Sequence, residues 1–485
     1  MLDKKRQFSD SSTKKTRFEH REVVEIEAGL DSESLDSTTL NGDGGDPFAA
    51  KGDGEGQVNY RSLGWISATV LMCKSSIGIG VLSLPSSFEV LGIIPGVLIL
   101  IFFASATLWS NYYIGVTKLK HPHVYSMQDV GRLVGGPVVG EIFGAVYFIF
   151  STMVCGSALL GLSTALNAIT MHGACTAIFT AALAAFVYPI ASLRTLQSIR
   201  WVGWIGLIFM IASLFLAAIS IAAGGRPSLA PQEGPLDLQV VLFGKPGFAK
   251  AMNAVANILW AYTSTCSYIS IAAEMKQPRD FKKAVMVSQG FVTAVYLTIG
   301  VMVYACAGQY VASPALGTAG VLIKRIAYGL AFPGLIFTAV FFVHLPAKYL
   351  HVRILRNSRH LTESTKTHWA VWLSCTAGCL LFSYIVASAI PVFDGLVGLV
   401  GACFGSFLSL HAMALAYLSD NRQFWRDAAY RTRKRIAAVS YNILIIVVAS
   451  FLLVGGTYGS IISIRDSYAN SGTRPWSCAD NSGSV

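Results

Sequence analysis

Charge is what this chain has least of: Asp, Glu, Lys and Arg make up 13% of 485 residues, against 53% hydrophobic ones, and mean hydropathy is +0.55. So little charge over such a length excludes an ordinary soluble protein. Catalytic motifs are also missing. There is no His-Glu-x-x-His, no Gly-x-Ser-x-Gly, no Walker loop and no carboxylate pair inside an apolar run, and Ser11-x-x-Lys14 stands in a polar tail, so no enzyme is expected. No cofactor or metal is expected either: the nine cysteines are scattered, and Cys375 with Cys379 reads as small packing residues one turn apart. Nothing before Leu63 supplies the apolar core of about 7 to 15 residues that a secretory signal needs, so no signal peptide is expected. The net charge of +11 gives no reason to invoke nucleic acid, because the basic residues sit in loops between apolar segments.

The charge that is present is unevenly placed. The first 60 residues hold eight Lys+Arg and thirteen Asp+Glu, about a third of that stretch, whereas the remainder is only about a tenth charged. Residues 1–60 have little to bury and are expected to be a disordered cytoplasmic tail, whose Lys4, Lys5, Lys14, Lys15 and serines suit a ubiquitin ligase or kinase. From 61 to 465 a window of about twenty residues finds about eleven transmembrane helices: 63–89, 93–117, 138–169, 174–192, 198–223, 248–274, 283–307, 320–347, 368–389, 393–418 and 439–463. An extracytoplasmic tail, 466–485, follows. With the amino terminus inside, the cytoplasmic loops carry 3, 2, 4, 5 and 6 Lys+Arg, while the opposite loops and the carboxyl tail together carry about 7, as the positive-inside rule requires. Cys175, Cys306 and Cys478 then fall at the outer side, with their pairing left open. Glycines at 136, 140 and 144, and at 401 and 405, are spaced to let helices approach closely in lipid.

Two spans are interrupted at their centres. In the first, Lys74-Ser75-Ser76-Ile77-Gly78-Ile79-Gly80-Val81 puts a cation beside a glycine-weakened backbone. A lysine at the middle of a membrane helix costs roughly 2.5 to 3.5 kcal/mol, and non-helical backbone at that depth is tolerated only where it lines a cavity or is buried in protein. In the sixth, Trp260-Ala261-Tyr262-Thr263-Ser264-Thr265 replaces the aliphatic pattern with polar groups. Spans one and six are each the first of five, which fits two inverted five-helix repeats meeting at the bilayer midplane, with span eleven added. This is the pattern of a transporter rather than a channel.

Ile77-Gly78-Ile79-Gly80-Val81-Leu82-Ser83-Leu84-Pro85 and, after span six, Glu274-Met275-Lys276-Gln277-Pro278-Arg279-Asp280-Phe281 resemble signatures of the amino acid/auxin permease family of transmembrane amino acid transporters. The resemblance is closest to the fungal neutral amino acid permeases of the methyltryptophan-resistance type. It implies an all-α, leucine-transporter-like fold with broken helices 1 and 6, and cation-coupled uptake of amino acids. Leu410-His411-Ala412 departs from the family, many members of which have a proline there.

If span one breaks near Gly78, the amides of Gly78, Ile79, Gly80 and Val81 open a second half-helix whose positive end suits a substrate carboxylate. The first half-helix, ending near Lys74 and Ser75, and the unwound carbonyls of Trp260, Ala261 and Tyr262 would face the ammonium, with Ser76, Ile77 and Ser264 also in the candidate substrate-binding set. Tyr147 and Tyr262 are the candidates for closing the site. Lys74, with Thr338 on span eight, is the candidate coupling site, because an ammonium there can replace a sodium ion or exchange a proton. The expected activity is proton-driven symport of neutral L-amino acids, aromatic and large aliphatic by resemblance, through alternating access. A sensor of the same fold and a vacuolar exporter are the alternatives. The expected location is the plasma membrane, with the vacuolar membrane as the competitor.

Overall fold

Glycine and proline decide where the helices of this chain begin, bend and stop. The computed structural model describes residues 63–193, 196–233, 235–356, 358–361, 363, 365–470 and 475–483, so the tail expected over 1–60 lies outside the described residues. Among the described residues there is no strand, only an isolated bridge between Leu63 and Met275.

The first span is three pieces, α1 (Trp65–Ser76), α2 (Ile79–Leu82) and α3 (Leu84–Leu91), with Pro85 in the first turn of α3. A proline is tolerated there because its missing N–H has no helical partner to lose. Then follow α4 (Ile93–Lys120), α5 (Met127–Thr170), α6 (Thr176–Ala191) and α7 (Leu196–Ala222). The sixth span is broken into α8 (Phe248–Ala261) and α9 (Thr265–Glu274). Next come α10 (Phe281–Ala307), α11 (Val321–Ile354) and α12 (Lys366–Ala389). The tenth span joins α13 (Phe393–Val400), a π-helical stretch over Gly401–His411 and α14 (Ala412–Asp420), and α15 (Arg433–Asn470) closes the series. Among the described residues, nine helices are long and apolar enough to cross a membrane, and Thr176–Ala191 is a shorter apolar one. With the broken α8/α9 pair these make eleven helical segments, in a leucine-transporter-like arrangement whose first and sixth members are interrupted.

Two glycine readings separate here. In α5, Gly135 and Gly136 leave the helical region, Gly136 at φ 81°, and Pro137 restarts the helix. Gly136 therefore makes a bend rather than a packing face, because φ > 0 is open to glycine at little steric cost. Gly144, Gly401 and Gly405 do pack closely. A Cβ on them would meet Tyr349 Oη at 2.2 Å, Ala256 O at 2.7 Å and Thr263 at 2.8 Å respectively. The amino end of α5 is fixed by a capping box, in which the Asp129 carboxylate accepts from the Ser126 amide at 3.0 Å.

α5, α6, α11 and α12 pack on one another, α7 packs along α11 and also carries α1, α1 lies on α10 as well, α8 lies on α3, α13 and α15, and α9 on α4. We call the face bearing Leu63 and Glu274 the inner face and the opposite one the outer face. At the outer face the carboxyl-terminal segment 475–483 reaches α5, α6, α11 and α12. Cys478 is disulfide-bonded to Cys175 just before α6, while Cys306 is free. Asn167 Nδ2 on α5 donates to Asn481 Oδ1 at 2.8 Å, Lys324 Nζ on α11 to the Ser482 carbonyl at 2.6 Å, and the Trp476 amide to the Ser388 carbonyl of α12 at 2.9 Å.

A disulfide joining positions 303 residues apart removes much freedom from the unfolded chain. Cys478→Ser is expected to lower unfolding stability by about 2–4 kcal/mol. Denaturation of the purified protein, alongside thiol counting before and after reduction, checks this; two free thiols at Cys175 and Cys478 in the unreduced protein would contradict it.

Candidate functional site

Both interruptions lie at the same depth and touch. Gly80 of α2 sits so close to α8 that a Cβ there would be 2.6 Å from the Cα of Ala261, which explains why this position carries no side chain. The Ser76 hydroxyl donates to Ser264 Oγ at 3.1 Å and shares a hydrogen bond of 3.1 Å with the Tyr268 hydroxyl, bridging the two breaks. A third residue holds both. The Tyr296 hydroxyl, on α10, lies 2.6 Å from the carbonyl oxygen of Ser76 and 2.7 Å from that of Ala261, the last residues of the two first half-helices. A helix end leaves its carbonyls without intrahelical partners, and in a dry interior these must be satisfied by a side chain. Tyr296 supplies that donor at both ends, and its ring packs edge-on to Tyr262 at 5.1 Å.

Between the breaks is a small cavity of about 20 Å³, lined by Ser75, Ser76, Ile79 and Gly80 from the first span, Trp260, Ala261, Thr263 and Ser264 from the sixth, Phe150 and Val154 from α5, and Thr338 and Phe342 from α11. No lining side chain is ionisable. The volume holds about one water, so an amino acid enters only if these walls separate. The group of α5 and α11 supplies the apolar wall, with Phe150 6.1 Å from Trp260 and 6.4 Å from Phe342 between ring centres.

Lys74 lies beside this cavity, fully buried. Its Nζ donates to the Ile77 carbonyl at 2.9 Å and to Thr338 Oγ1 at 3.2 Å, and Thr338 in turn donates to the Gly334 carbonyl at 3.1 Å. Gly206 of α7 and Gly334 of α11 make room for the stem: a Cβ on either would come within 3.3 and 3.6 Å of Lys74 Cε. None of the ion pairs among the described residues involves Lys74.

The inner face is closed. Glu274 at the end of α9 and Lys348 on α11 form a buried ion pair, 2% and 4% exposed as residues. The Leu63 amide donates to the Glu274 carbonyl at 3.1 Å, and Lys276 donates back to Leu63 at 2.9 Å. Beside them Arg353 pairs with Glu141 at 2.6 Å, and the Arg353 guanidinium donates to the Tyr349 hydroxyl at 3.1 Å.

Of the residues singled out from sequence, Ser76, Ile79, Gly80, Trp260, Ala261, Ser264 and Thr338 border the cavity, and Lys74 contacts Thr338. Ile77, Gly78 and Val81 are buried in the break without lining it. The Gly78 amide is already bonded to the Ser76 carbonyl at 2.9 Å, which leaves Ile79, Gly80 and Val81 as the first-turn donors. Tyr147 and Tyr262 do not line the cavity. Tyr147 packs on Tyr349 at 6.0 Å, one turn nearer the inner face than Phe150, and the Tyr262 hydroxyl donates to Thr293 at 3.3 Å. The sixth-span carbonyls expected to face an ammonium are in internal use. Trp260 O accepts from the Thr263 amide at 3.0 Å, Ala261 O from Tyr296, and Tyr262 O from Thr265 Oγ1 at 3.4 Å. Phe150, Val154, Thr263, Phe342 and Tyr296 escaped sequence reasoning. Phe342 is one turn beyond Thr338, and Tyr296 is a hydroxyl in an apolar helix, a group that when buried needs a partner.

With this geometry in hand, similarity to known proteins is informative. The model of the family "Transmembrane amino acid transporter protein" matches residues 61–462. A "Transmembrane transporter" of Fusarium pseudograminearum is 30% identical over 483 residues, covering 99% of this chain and 97% of its own. An "N amino acid transport system protein" of Neurospora crassa is 30% identical over 439 residues, covering 88% and 90%. Among solved structures, the nucleobase–cation symporter Mhp1 in a closed, bromovinylhydantoin-bound conformation aligns with a TM-score of 0.54 at 12% identity, over 90% of this chain and 99% of its own. A substrate-bound, outward-open Na⁺-coupled sialic acid symporter aligns at 0.52 and 12%, over 83% and 90%. At that identity the two structures speak for the fold.

Tyr296→Phe keeps the ring and removes the donor to the Ala261 carbonyl, while the Ser76 carbonyl keeps the Gly78 amide. A buried polar group left unpaired costs about 1–3 kcal/mol, so stability in nanodiscs is expected to fall by that amount. Denaturant titration of the purified variant reads it, and an unchanged midpoint would mean that Tyr296 does not hold the breaks.

Proposed function

The chain belongs to the transmembrane amino acid transporter family, and on that premise we propose that it is a secondary active symporter that takes up neutral L-amino acids, aromatic and large aliphatic ones, with protons. The observation that carries the substrate class is the cavity between the breaks, which presents hydroxyls, backbone and aromatic rings and no charged side chain. The zwitterion's carboxylate is received by the first-turn amides of Ile79 and Gly80, helped by Ser75 and Ser76, since open amides at a helix start attract an anion. Hydroxyls of Thr263, Ser264 and Thr338 receive the ammonium. The side chain goes toward Phe150, Val154 and Phe342, where hydrophobic transfer rewards a large apolar group at about 25 cal/mol per Å² buried.

Lys74 is the coupling group in this reading. As an ammonium it holds the Ile77 carbonyl and Thr338 together, tying the break of α1 to α11; as an amine it loses the charge-assisted part of both bonds, which are roughly twice as strong as neutral ones. Binding and releasing one proton there fastens and loosens the first span against the four-helix group. Each charge moved across 100 mV contributes about 2.3 kcal/mol, enough to concentrate a neutral solute.

Transport in this reading runs by alternating access, and the asymmetry between the faces supports it. The Glu274–Lys348 pair ties the inner half of the sixth span to α11, and opening inward requires it to part. We place residues 1–60 in the cytoplasm as the tail on which a ubiquitin ligase or kinase acts, and the protein in the plasma membrane. The disulfide at the outer face supports that sidedness, because such bonds persist in oxidising compartments.

Uptake of labelled leucine and phenylalanine into proteoliposomes, with an imposed inward proton gradient and with or without sodium, tests the reading. Accumulation is expected to follow the proton gradient, to ignore sodium and to be lost in Lys74→Ala; a sodium requirement would sink proton coupling, and binding without accumulation would replace transport by sensing. For the gate, Lys348→Met removes the cation that pairs with buried Glu274, with an expected destabilisation of about 3–5 kcal/mol and loss of uptake. Adding Glu274→Gln should recover much of the stability, and a double variant as unstable as the single one would show that the pair is not coupled.

A further inference from the structure

From the end of α14 to the first turn of α15, at the inner face, stand six basic residues, Arg422, Arg426, Arg431, Arg433, Lys434 and Arg435, against one acidic residue, Asp427. From sequence they are loop charge that orients the chain in the membrane; the fold sorts them by use. Three serve the protein itself. Arg422 donates to the Val134 carbonyl at 3.1 Å and Ser419 to the Leu133 carbonyl at 3.4 Å, so two carbonyls just before the Gly135–Gly136 bend of α5 are held from this loop and the end of α14. Arg431 folds back to donate to the Phe424 carbonyl at 3.0 Å and the Trp425 carbonyl at 3.4 Å, and the Arg435 guanidinium lies 3.6 Å over the Tyr430 ring. Arg426 and Arg433 are different. Both are exposed, and neither side chain makes a hydrogen bond, ion pair or ring contact among the described residues.

Helix periodicity gives the level at which Arg433 stands. The exposed apolar residues Ile436, Ile443, Val447, Phe451, Val454 and Ile461 of α15 follow one another at steps of three, four or seven, a single stripe that faces lipid in a membrane-spanning helix. Arg433 is one step before Ile436, where that stripe meets the headgroups of the inner leaflet. Trp425, next to Arg426, is 55% exposed, as suits an aromatic side chain at a membrane–water boundary.

We propose that this loop binds the headgroup of a polyphosphorylated inositol phospholipid of the inner leaflet, with Arg426 and Arg433 on its phosphates and Trp425 at the interface beside it. A guanidinium forks onto two phosphate oxygens at once, which an ammonium cannot do. Clusters of basic residues immediately cytoplasmic of a membrane helix attract anionic lipid, and a surplus of five positive charges here matches a headgroup with several negative ones better than one with a single charge. The internal bonds of Arg431 and Arg435 hold the loop in shape beforehand, which lowers the ordering cost of binding. Because Arg422 of the same loop holds the bend of α5, a bound headgroup fastens the inner ends of the tenth span and of α5 to the leaflet. The site shares no residue with the transport site, and of the reading above it uses only that the inner face is cytoplasmic.

Native mass spectrometry of the full-length protein in detergent micelles, with phosphatidylinositol bisphosphate or phosphatidylserine added, tests the proposal. One inositol lipid per chain should be retained, with phosphatidylserine held at least tenfold more weakly. The pair Arg426→Gln and Arg433→Gln should weaken retention tenfold or more, and Arg426→Lys with Arg433→Lys, which keeps charge and fold but not the fork, should weaken it severalfold. Arg356→Gln with Lys366→Gln removes two equally exposed inner-face cations outside the loop and should leave retention unchanged. Equal retention of the two lipids, or equal loss in the two glutamine pairs, would reduce the effect to diffuse surface charge and overturn the site. So would a soluble inositol phosphate that binds as tightly as the lipid, since the membrane would then contribute nothing. None of these outcomes depends on amino acid uptake, so failure of the lipid site leaves the transport reading standing, and failure of transport leaves the lipid site.

Discussion

A break in a membrane helix is tolerated only if the carbonyls and amides it frees find partners inside the protein, and everything notable about this molecule is arranged around that constraint. Each of the two breaks ends a half-helix, and one phenolic hydroxyl, that of Tyr296, sits within 2.6 and 2.7 Å of the terminal carbonyls of both. Ser409 donates to the Thr263 carbonyl at 3.3 Å from the π-helical stretch of the tenth span, so that segment also serves the break. Long π-helical runs are rare and cluster at functional places. Here the run carries Gly401 against α8 and Gly405 against Thr263 of the sixth-span break, where a Cβ would come within 2.7 and 2.8 Å of its neighbours.

The same constraint frames Lys74. A buried cation is costly unless hydrogen-bonded, and Lys74 has a carbonyl and a hydroxyl but no carboxylate. The ion is therefore held by dipoles that the break itself exposes, the Ile77 carbonyl foremost. Whatever loosens that carbonyl also alters the environment of the ammonium, and the reverse holds by the same contact. Compare Glu274 and Lys348, equally buried but paired with each other: that interaction is made and broken as a unit, which suits a latch more than an exchange site.

Much of the fold was legible because bilayer thickness, loop charge and glycine–proline interruptions are one-dimensional signals. Lys74 beside Gly78 and Gly80, and the polar run 260–265, pointed to both breaks, and the structure brings Thr338, named with Lys74 as a coupling candidate, to 3.2 Å from the Lys74 Nζ. What escaped was set by rotation about helix axes. Tyr147 and Phe150 are three residues apart, and sequence alone does not say which of them faces the cavity; the structure gives the place to Phe150 and turns Tyr147 toward Tyr349. Tyr296 was invisible because its value lies in reaching two chain segments more than 180 residues apart from each other. Gly136 was misassigned for a related reason: a bend and a packing face share one residue type and differ only in φ.

The disulfide-held segment 475–483 bears on which part of the molecule moves. It fastens α5, α6, α11 and α12 at their outer ends, through Asn481, Cys478, Ser482 and Trp476 respectively, and touches none of α1, α3 or α8 by any of these bonds. The two broken spans are held to the four-helix group instead through Lys74 with Thr338 near mid-depth and Glu274 with Lys348 at the inner face. The four-helix group and the broken spans are also joined by α7, which packs along α11 and donates to it from Ser213 Oγ to the Ala327 carbonyl at 2.6 Å. The cavity that a substrate must enlarge lies on that same boundary, with Phe150 and Phe342 on one side and the breaks on the other. On the transport reading proposed above, widening it also parts Lys74 from Thr338, the contact at which a proton would act.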